Sequence, residues 1–120
     1  MAKILLVDDS WQTRDAIAMV FADAGHEVLA CGGLAPALRQ IKAQRFDGVI
    51  TDLHFPGVRS PESGGRELLE NLAALPAPER PKILIVSVSQ SLVTQAARDF
   101  AGLNPQYCQK RHCMTHVNFV

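Results

Sequence analysis

Residues able to handle a phosphoryl group stand directly after short apolar runs in this chain. Asp8 and Asp9 follow Ile4-Leu5-Leu6-Val7, Asp52 follows Val49-Ile50-Thr51, and Ser87 follows Ile83-Leu84-Ile85-Val86. Lys110 comes just after Tyr107-Cys108. If these runs are parallel strands, all of those side chains reach one edge of a sheet. Three carboxylates gathered there repel one another and are hard to keep ionised. A hard divalent cation with oxygen ligands and retained waters relieves that repulsion, which describes Mg2+. A carboxylate beside such an ion can attack a phosphoryl group, with charge on the transferring oxygens neutralised. The set therefore suits transfer of a phosphoryl group onto Asp52, with Lys110 and the Ser87 hydroxyl as further contacts. Ser89 competes with Ser87, but Ser87 directly follows the apolar run. Hydride and acyl transfer find neither a cofactor motif nor a nucleophile–base pair.

The elements that must position these residues alternate along the chain. Lys3 to Val7 reads as a buried strand. Ser10 then offers a helix cap, and Ile17, Val20, Phe21 and Ala24 recur at helical spacing before Gly25. A weaker strand at Glu27 to Cys31 leads to a helical face of Leu34, Leu38 and Ile41, with Pro36 tolerable in its first turn. The third strand lies within Asp47 to Leu53, and a Gly/Pro/Ser-rich loop runs from Pro56 to Gly65. Leu68, Leu69, Leu72 and Leu75 mark the next helix, ended by Pro76, Pro78 and Pro81. Ile83 to Val86 is a strand apolar on both faces. Leu92, Val93, Ala96, Ala97 and Phe100 give a fourth helix, closed near Gly102. Tyr107 and Cys108 form a short fifth strand, and a short last helix is expected after Lys110. Strand–helix–strand crossovers of this length imply a doubly wound α/β fold, with a parallel sheet and helices on both faces. Ligands of such sheets bind at the carboxyl ends of the strands, near the topological switch point.

Composition narrows the function further. The 120 residues fit one domain. Twelve basic residues cancel twelve acidic ones, so no basic surplus argues for direct nucleic-acid contact. The apolar run at residues 4–7 is too short for a signal peptide core or a membrane span, so a cytoplasmic location without membrane contact is expected. Three cysteines without a secretory signal read as reduced thiols.

Beyond these inferences, the sequence resembles the receiver domain of two-component response regulators, of the stand-alone chemotaxis-receiver kind, across nearly its whole length. The family opens on a strand ending in paired acids, as Ile4 to Ser10 does. Its phosphoacceptor ends the third strand and is followed four residues later by proline, as Asp52 is by Pro56. A Ser or Thr ends the fourth strand, matched by Ser87, and an aromatic stands three residues before a lysine, matched by Tyr107 and Lys110. The resemblance implies a five-stranded sheet in the order 2-1-3-4-5 and one receiver domain over residues 1–120. It implies that Asp52 accepts the phosphoryl group and that Asp9, Asp8, Asp52 and the backbone carbonyl of His54 hold Mg2+. Lys110 would pair with Asp52 or its phosphoryl group. Ser87 would bind a phosphoryl oxygen, and Tyr107 would swing into the space that Ser87 vacates. The chain would be no turnover enzyme. Its partners would be a sensor histidine kinase or a histidine phosphotransfer protein, and a downstream protein target or effector domain.

Some features depart from the family pattern. Arg111 stands where the family usually has proline, and a cis bond before a non-proline residue costs about 3 kcal/mol. Lys110 is therefore expected to be held differently, or the cis bond to be kept under strain. The Pro56 to Gly65 loop is longer than usual and is expected to cover the site or meet a partner. The short last helix alters the face through which the family usually signals. These departures support an alternative, a pseudo-receiver that binds proteins without switching, although the intact acid set argues against it. A Mg2+-dependent phosphatase is a weaker third reading, because His54 stands where such enzymes commonly carry a second acid. Cys108, His112, Cys113 and His116 match no strong zinc spacing and read as a strand cysteine and a polar short helix.

Overall fold

The structure is a computed structural model, and it describes residues 2–60, 63–87 and 90–108. Five strands, β1 (Lys3–Val7), β2 (Glu27–Cys31), β3 (Gly48–Thr51), β4 (Lys82–Val86) and β5 (Gln106–Cys108), alternate with α1 (Trp11–Asp23), α2 (Leu34–Ala43), α3 (Gly64–Ala73) and α4 (Gln90–Asp99). All strand pairs are parallel, in the order β2-β1-β3-β4-β5. The sheet order and the helical alternation match the expectation from sequence. The expected last helix lies outside the described residues.

Side-chain alternation divides the core in two. Leu5, Val7, Val49, Ile83 and Ile85 face Leu34 and Ala37 of α2, Leu68, Leu69 and Leu72 of α3, and Val93 and Ala96 of α4. Ile4, Leu6, Ile50, Leu84 and Val86 face the other way, toward Ile17 and Phe21 of α1. Successive residues thus feed opposite layers, which is why these strands read as unbroken apolar runs.

The boundaries of two helices differ from the sequence expectation. Ala24 is the exposed C-cap of α1, not part of its apolar face. Gly25 follows with φ +95°, a left-handed turn that glycine adopts without penalty. Gly64 and Gly65 open α3, whereas the sequence places them in the loop before it. Leu75 lies past the end of α3, which stops at Ala73 before a 3-10 turn at Ala77–Glu79. Arg80 closes that end, donating to the carbonyls of Leu75 and Ala73 at 2.9 Å each. No helix among the described residues is long and apolar enough to cross a membrane.

Candidate functional site

The chain leaves β1 toward β2 on one side and returns to β3 on the other, so the switch point falls between β1 and β3. Val7 and Thr51 are paired at the carboxyl ends of those strands, and the amide of Asp52 donates to the carbonyl of Val7 at 3.3 Å. The ladder therefore carries Asp8 and Asp52 out of the sheet side by side. Oxygens of Asp8, Asp9 and Asp52 lie within 4.8 Å of one another. Asp8 and Asp52 are buried at 1% and 4% exposure, while Asp9 is open to solvent.

Local hydrogen bonds fix each acid. Ser10 caps α1 by accepting the Thr13 amide, and its own amide donates to Oδ1 of Asp8 at 2.9 Å. The Asp8 amide donates to the carbonyl of Cys31 at 3.2 Å. Oδ1 of Asp52 accepts the His54 amide at 3.1 Å, an Asx-type turn that orients the carboxylate. The buried Thr51 hydroxyl donates to the Asp52 carbonyl at 2.8 Å. The first turn of α3 presses on the same backbone. A Cβ on Gly65 would lie 2.4 Å from Cα of Leu53 and 2.5 Å from the carbonyl oxygen of Asp52. A Cβ on Gly64 would meet the Phe55 carbonyl at 2.4 Å. The two glycines are what let α3 begin against the segment that carries Asp52.

The donor set fits a small hard cation. Three carboxylates, one of them solvent-facing, offer oxygen ligands and leave room for waters. The cluster can bind a metal ion.

Ser87 is buried at the carboxyl end of β4, the strand beside β3, and its amide donates to the carbonyl of Cys108. Tyr107 is half-buried in the edge strand, paired with Ile85, on the layer that includes Val93 and Ala96. Burial raises its phenol above the usual tyrosine range. His54 is exposed beside Asp52. Lys110, Arg111 and the Cys/His tail lie outside the described residues, as does Ser89. Sequence reasoning missed Thr51 and Gly65. The consecutive glycines before the apolar period of α3 were the available signal for Gly65.

The loop after Pro56 is tied down. Arg59 reaches Glu67 at 3.4 Å and Glu70 at 3.2 Å on α3, and its amide donates to Glu67. The Ser63 hydroxyl lies 2.7 Å from Glu67, and the Ser60 amide donates to it at 3.0 Å. Val58 is left 82% exposed beside this anchor. The Ser63 hydroxyl, then the Arg59 amide and guanidinium, hold the Glu67 carboxyl below the usual glutamate range. The Glu67 contacts of this anchor are thus complete above the ordinary glutamate pKa and are lost as pH falls through the lowered value. The Arg59 amide resonance is expected to titrate below that ordinary value in wild type. In Glu67→Gln, no such titration is expected.

Comparison with known proteins agrees with this geometry. The profile of the response regulator receiver domain family matches residues 4–104. The sensory/regulatory protein RpfC of Xanthomonas campestris pv. campestris is 28% identical over 96 residues, which is 80% of this chain and 12% of RpfC. The chain therefore spans a small part of that relative. A CheY-like receiver domain from Methylobacillus flagellatus superposes with a TM-score of 0.79 at 19% identity, over 98% of this chain and 93% of that one. TrrA of Thermotoga maritima, solved in complex with Mg2+–BeF, gives a TM-score of 0.70 at 21% identity over 91% and 86%. With the family profile spanning β1 through α4, and the acids gathered at the switch point of a 2-1-3-4-5 sheet, the chain belongs to the response regulator receiver domain family.

Proposed function

We propose that Asp52 is the phosphoacceptor and that Asp8, Asp9, Asp52 and the His54 carbonyl hold Mg2+ beside it. The carrying observation is the convergence of three carboxylates at one strand edge. Asp52 directly follows β3 at the switch point, and the His54 amide on its Oδ1 orients the carboxylate, which supports its choice among the three. The Mg2+–BeF complex of TrrA supports the choice of ion.

A carboxylate oxygen of Asp52 forms the new bond to phosphorus. The donor's bond to phosphorus breaks, and its electron pair leaves with imidazole or, from acetyl phosphate, with acetate. Magnesium, when bound, neutralises charge on the transferring oxygens. The Ser87 hydroxyl hydrogen-bonds a phosphoryl oxygen, Lys110 pairs with the phosphoryl charge, and the Tyr107 ring follows Ser87 inward. Burial of Ser87 and the half-burial of Tyr107 on the adjacent strand support this coupling.

The chain is a signalling module, not a conventional enzyme. Receiver domains pair with histidine kinases, and the donor proposed here is a sensor histidine kinase or a histidine phosphotransfer protein. The readout is a downstream protein or effector domain. Residues 1–120 are proposed to act as one receiver unit, supported by the family match over residues 4–104 and by the single five-stranded sheet of the described residues. A cytoplasmic setting is proposed, supported by the free thiol of Cys31.

Borohydride reduces an acyl phosphate to an alcohol, so a sample treated with acetyl phosphate and Mg2+ and then reduced is expected to carry homoserine at position 52 on peptide mapping. Reduction at Asp8 or Asp9 instead would overturn the assignment.

A further inference from the structure

We infer that Arg14 is a positioning residue for the cation site, holding the Asp8–Asp9 turn in the geometry that receives the ion. The inference rests on the reading of Asp8, Asp9 and Asp52 as that site. Arg14 is half-buried in the first turn of α1, where its amide donates to the Ser10 carbonyl at 2.9 Å. Its guanidinium folds back against the direction of the chain and donates to the backbone carbonyl of Asp8 at 2.9 Å. Together with the Ser10 amide on the Asp8 carboxylate, this closes a hydrogen-bonded ring around residues 8–14. Asp9 lies inside that ring and is the one exposed acid of the three.

The same guanidinium nitrogen also lies close to the turn after β2. A Cβ on Gly32 would come within 3.0 Å of an Arg14 terminal nitrogen. Gly32 directly follows β2, whose last carbonyl, that of Cys31, accepts the Asp8 amide. Arg14 therefore spans from the turn after β2 to the turn after β1. Asp8 is held through its amide, its carboxylate and its carbonyl, from three directions. Lysine in this place could keep the charge and one hydrogen bond but not the planar, rigid fork of the guanidinium.

Two mechanisms make opposite predictions. If Arg14 acts only through its charge, removing a cation near the acids favours binding of another cation. If Arg14 positions the turn, its removal weakens binding, and Mg2+ suffers more than Ca2+. Mg2+ demands near-ideal octahedral geometry, whereas Ca2+ accepts looser arrangements.

The experiment is calorimetric titration of Mg2+ and of Ca2+ into the full chain, for wild type, Asp9→Asn, Arg14→Ala and Arg14→Lys. Arg14→Ala is expected to raise the Kd for Mg2+ about tenfold, the usual scale for losing an outer partner of a metal site. Its Kd for Ca2+ is expected to rise less, and Arg14→Lys to fall between wild type and Arg14→Ala. Equal or tighter Mg2+ binding by Arg14→Ala, with Asp9→Asn weakened, overturns the positioning role and leaves the cation site standing. So does an equal loss for both ions. If Asp9→Asn binds Mg2+ as wild type does, the cation site itself is misplaced. If Arg14→Ala does not fold, Arg14→Lys decides, because the charge-only mechanism gives it the wild-type ratio of Mg2+ to Ca2+ affinity.

Discussion

Gly65→Ala is expected to destabilise the protein and to slow phosphorylation of Asp52 together. In an exposed helix position the same change stabilises by about 1 kcal/mol, because alanine is the better helix former. Here the new methyl would sit 2.4 Å from Cα of Leu53 and 2.5 Å from the carbonyl of Asp52. Neither obstacle is the end of a flexible side chain, so relief requires α3 or the Asp52–Leu53 backbone to move. Overpacking of this kind costs about 1–3 kcal/mol, enough to outweigh the propensity gain. The movement falls on the residue proposed to attack phosphorus. A displacement of about 1 Å in a reacting group can cost about a hundredfold in rate. Urea unfolding should show a lower midpoint with an unchanged slope, and the rate of labelling by acetyl phosphate should fall at least tenfold. A stabilised variant with the wild-type rate would mean that α3 does not press on the phosphoacceptor.

Mg2+ is expected to stabilise the protein, and Asp9→Asn to remove that gain while raising the stability of the metal-free form. At a concentration one hundred times the Kd, an ion that binds only the folded state contributes about 2.7 kcal/mol. Without the ion, Asp9 adds repulsion to two buried carboxylates within 4.8 Å. Replacing it by a neutral side chain relieves that repulsion, which for a solvent-exposed group amounts to at most about 1 kcal/mol. Thermal melting with EDTA and with Mg2+ reads both effects. The variant should melt higher than wild type in EDTA and should not respond to Mg2+. A variant that still gains stability with Mg2+ would place the ion elsewhere.

Much of this arrangement was readable in the chain. Runs such as Ile4 to Val7 and Ile83 to Val86 are apolar on both faces, so their burial in a covered parallel sheet follows directly. Strand-end acids are visible once the strands are placed, and Ser10 was recognisable as a cap because a hydroxyl precedes a helical period. Contacts between distant segments were not readable. Gly64 and Gly65 look like loop residues in sequence, since glycine disfavours helix interiors. They open α3 because the backbone of residues 52–55 leaves no room for a side chain. Arg14 looks like an ordinary polar residue of α1, and only the fold brings the Asp8 carbonyl and Gly32 to its guanidinium. Arg59 likewise finds Glu67 and Glu70 only after α3 has docked. The length of the loop was evident, but its anchorage depends on which face of α3 points outward.

The most direct test of Asp52 as a Mg2+-dependent phosphoacceptor is intact mass after incubation with acetyl phosphate, with Mg2+ or with EDTA, beside Asp52→Asn. The expected result is a gain of one phosphoryl group in wild type with Mg2+, with none in EDTA and none in Asp52→Asn. An equal gain in Asp52→Asn, or a gain in EDTA matching that with Mg2+, would contradict the proposed site.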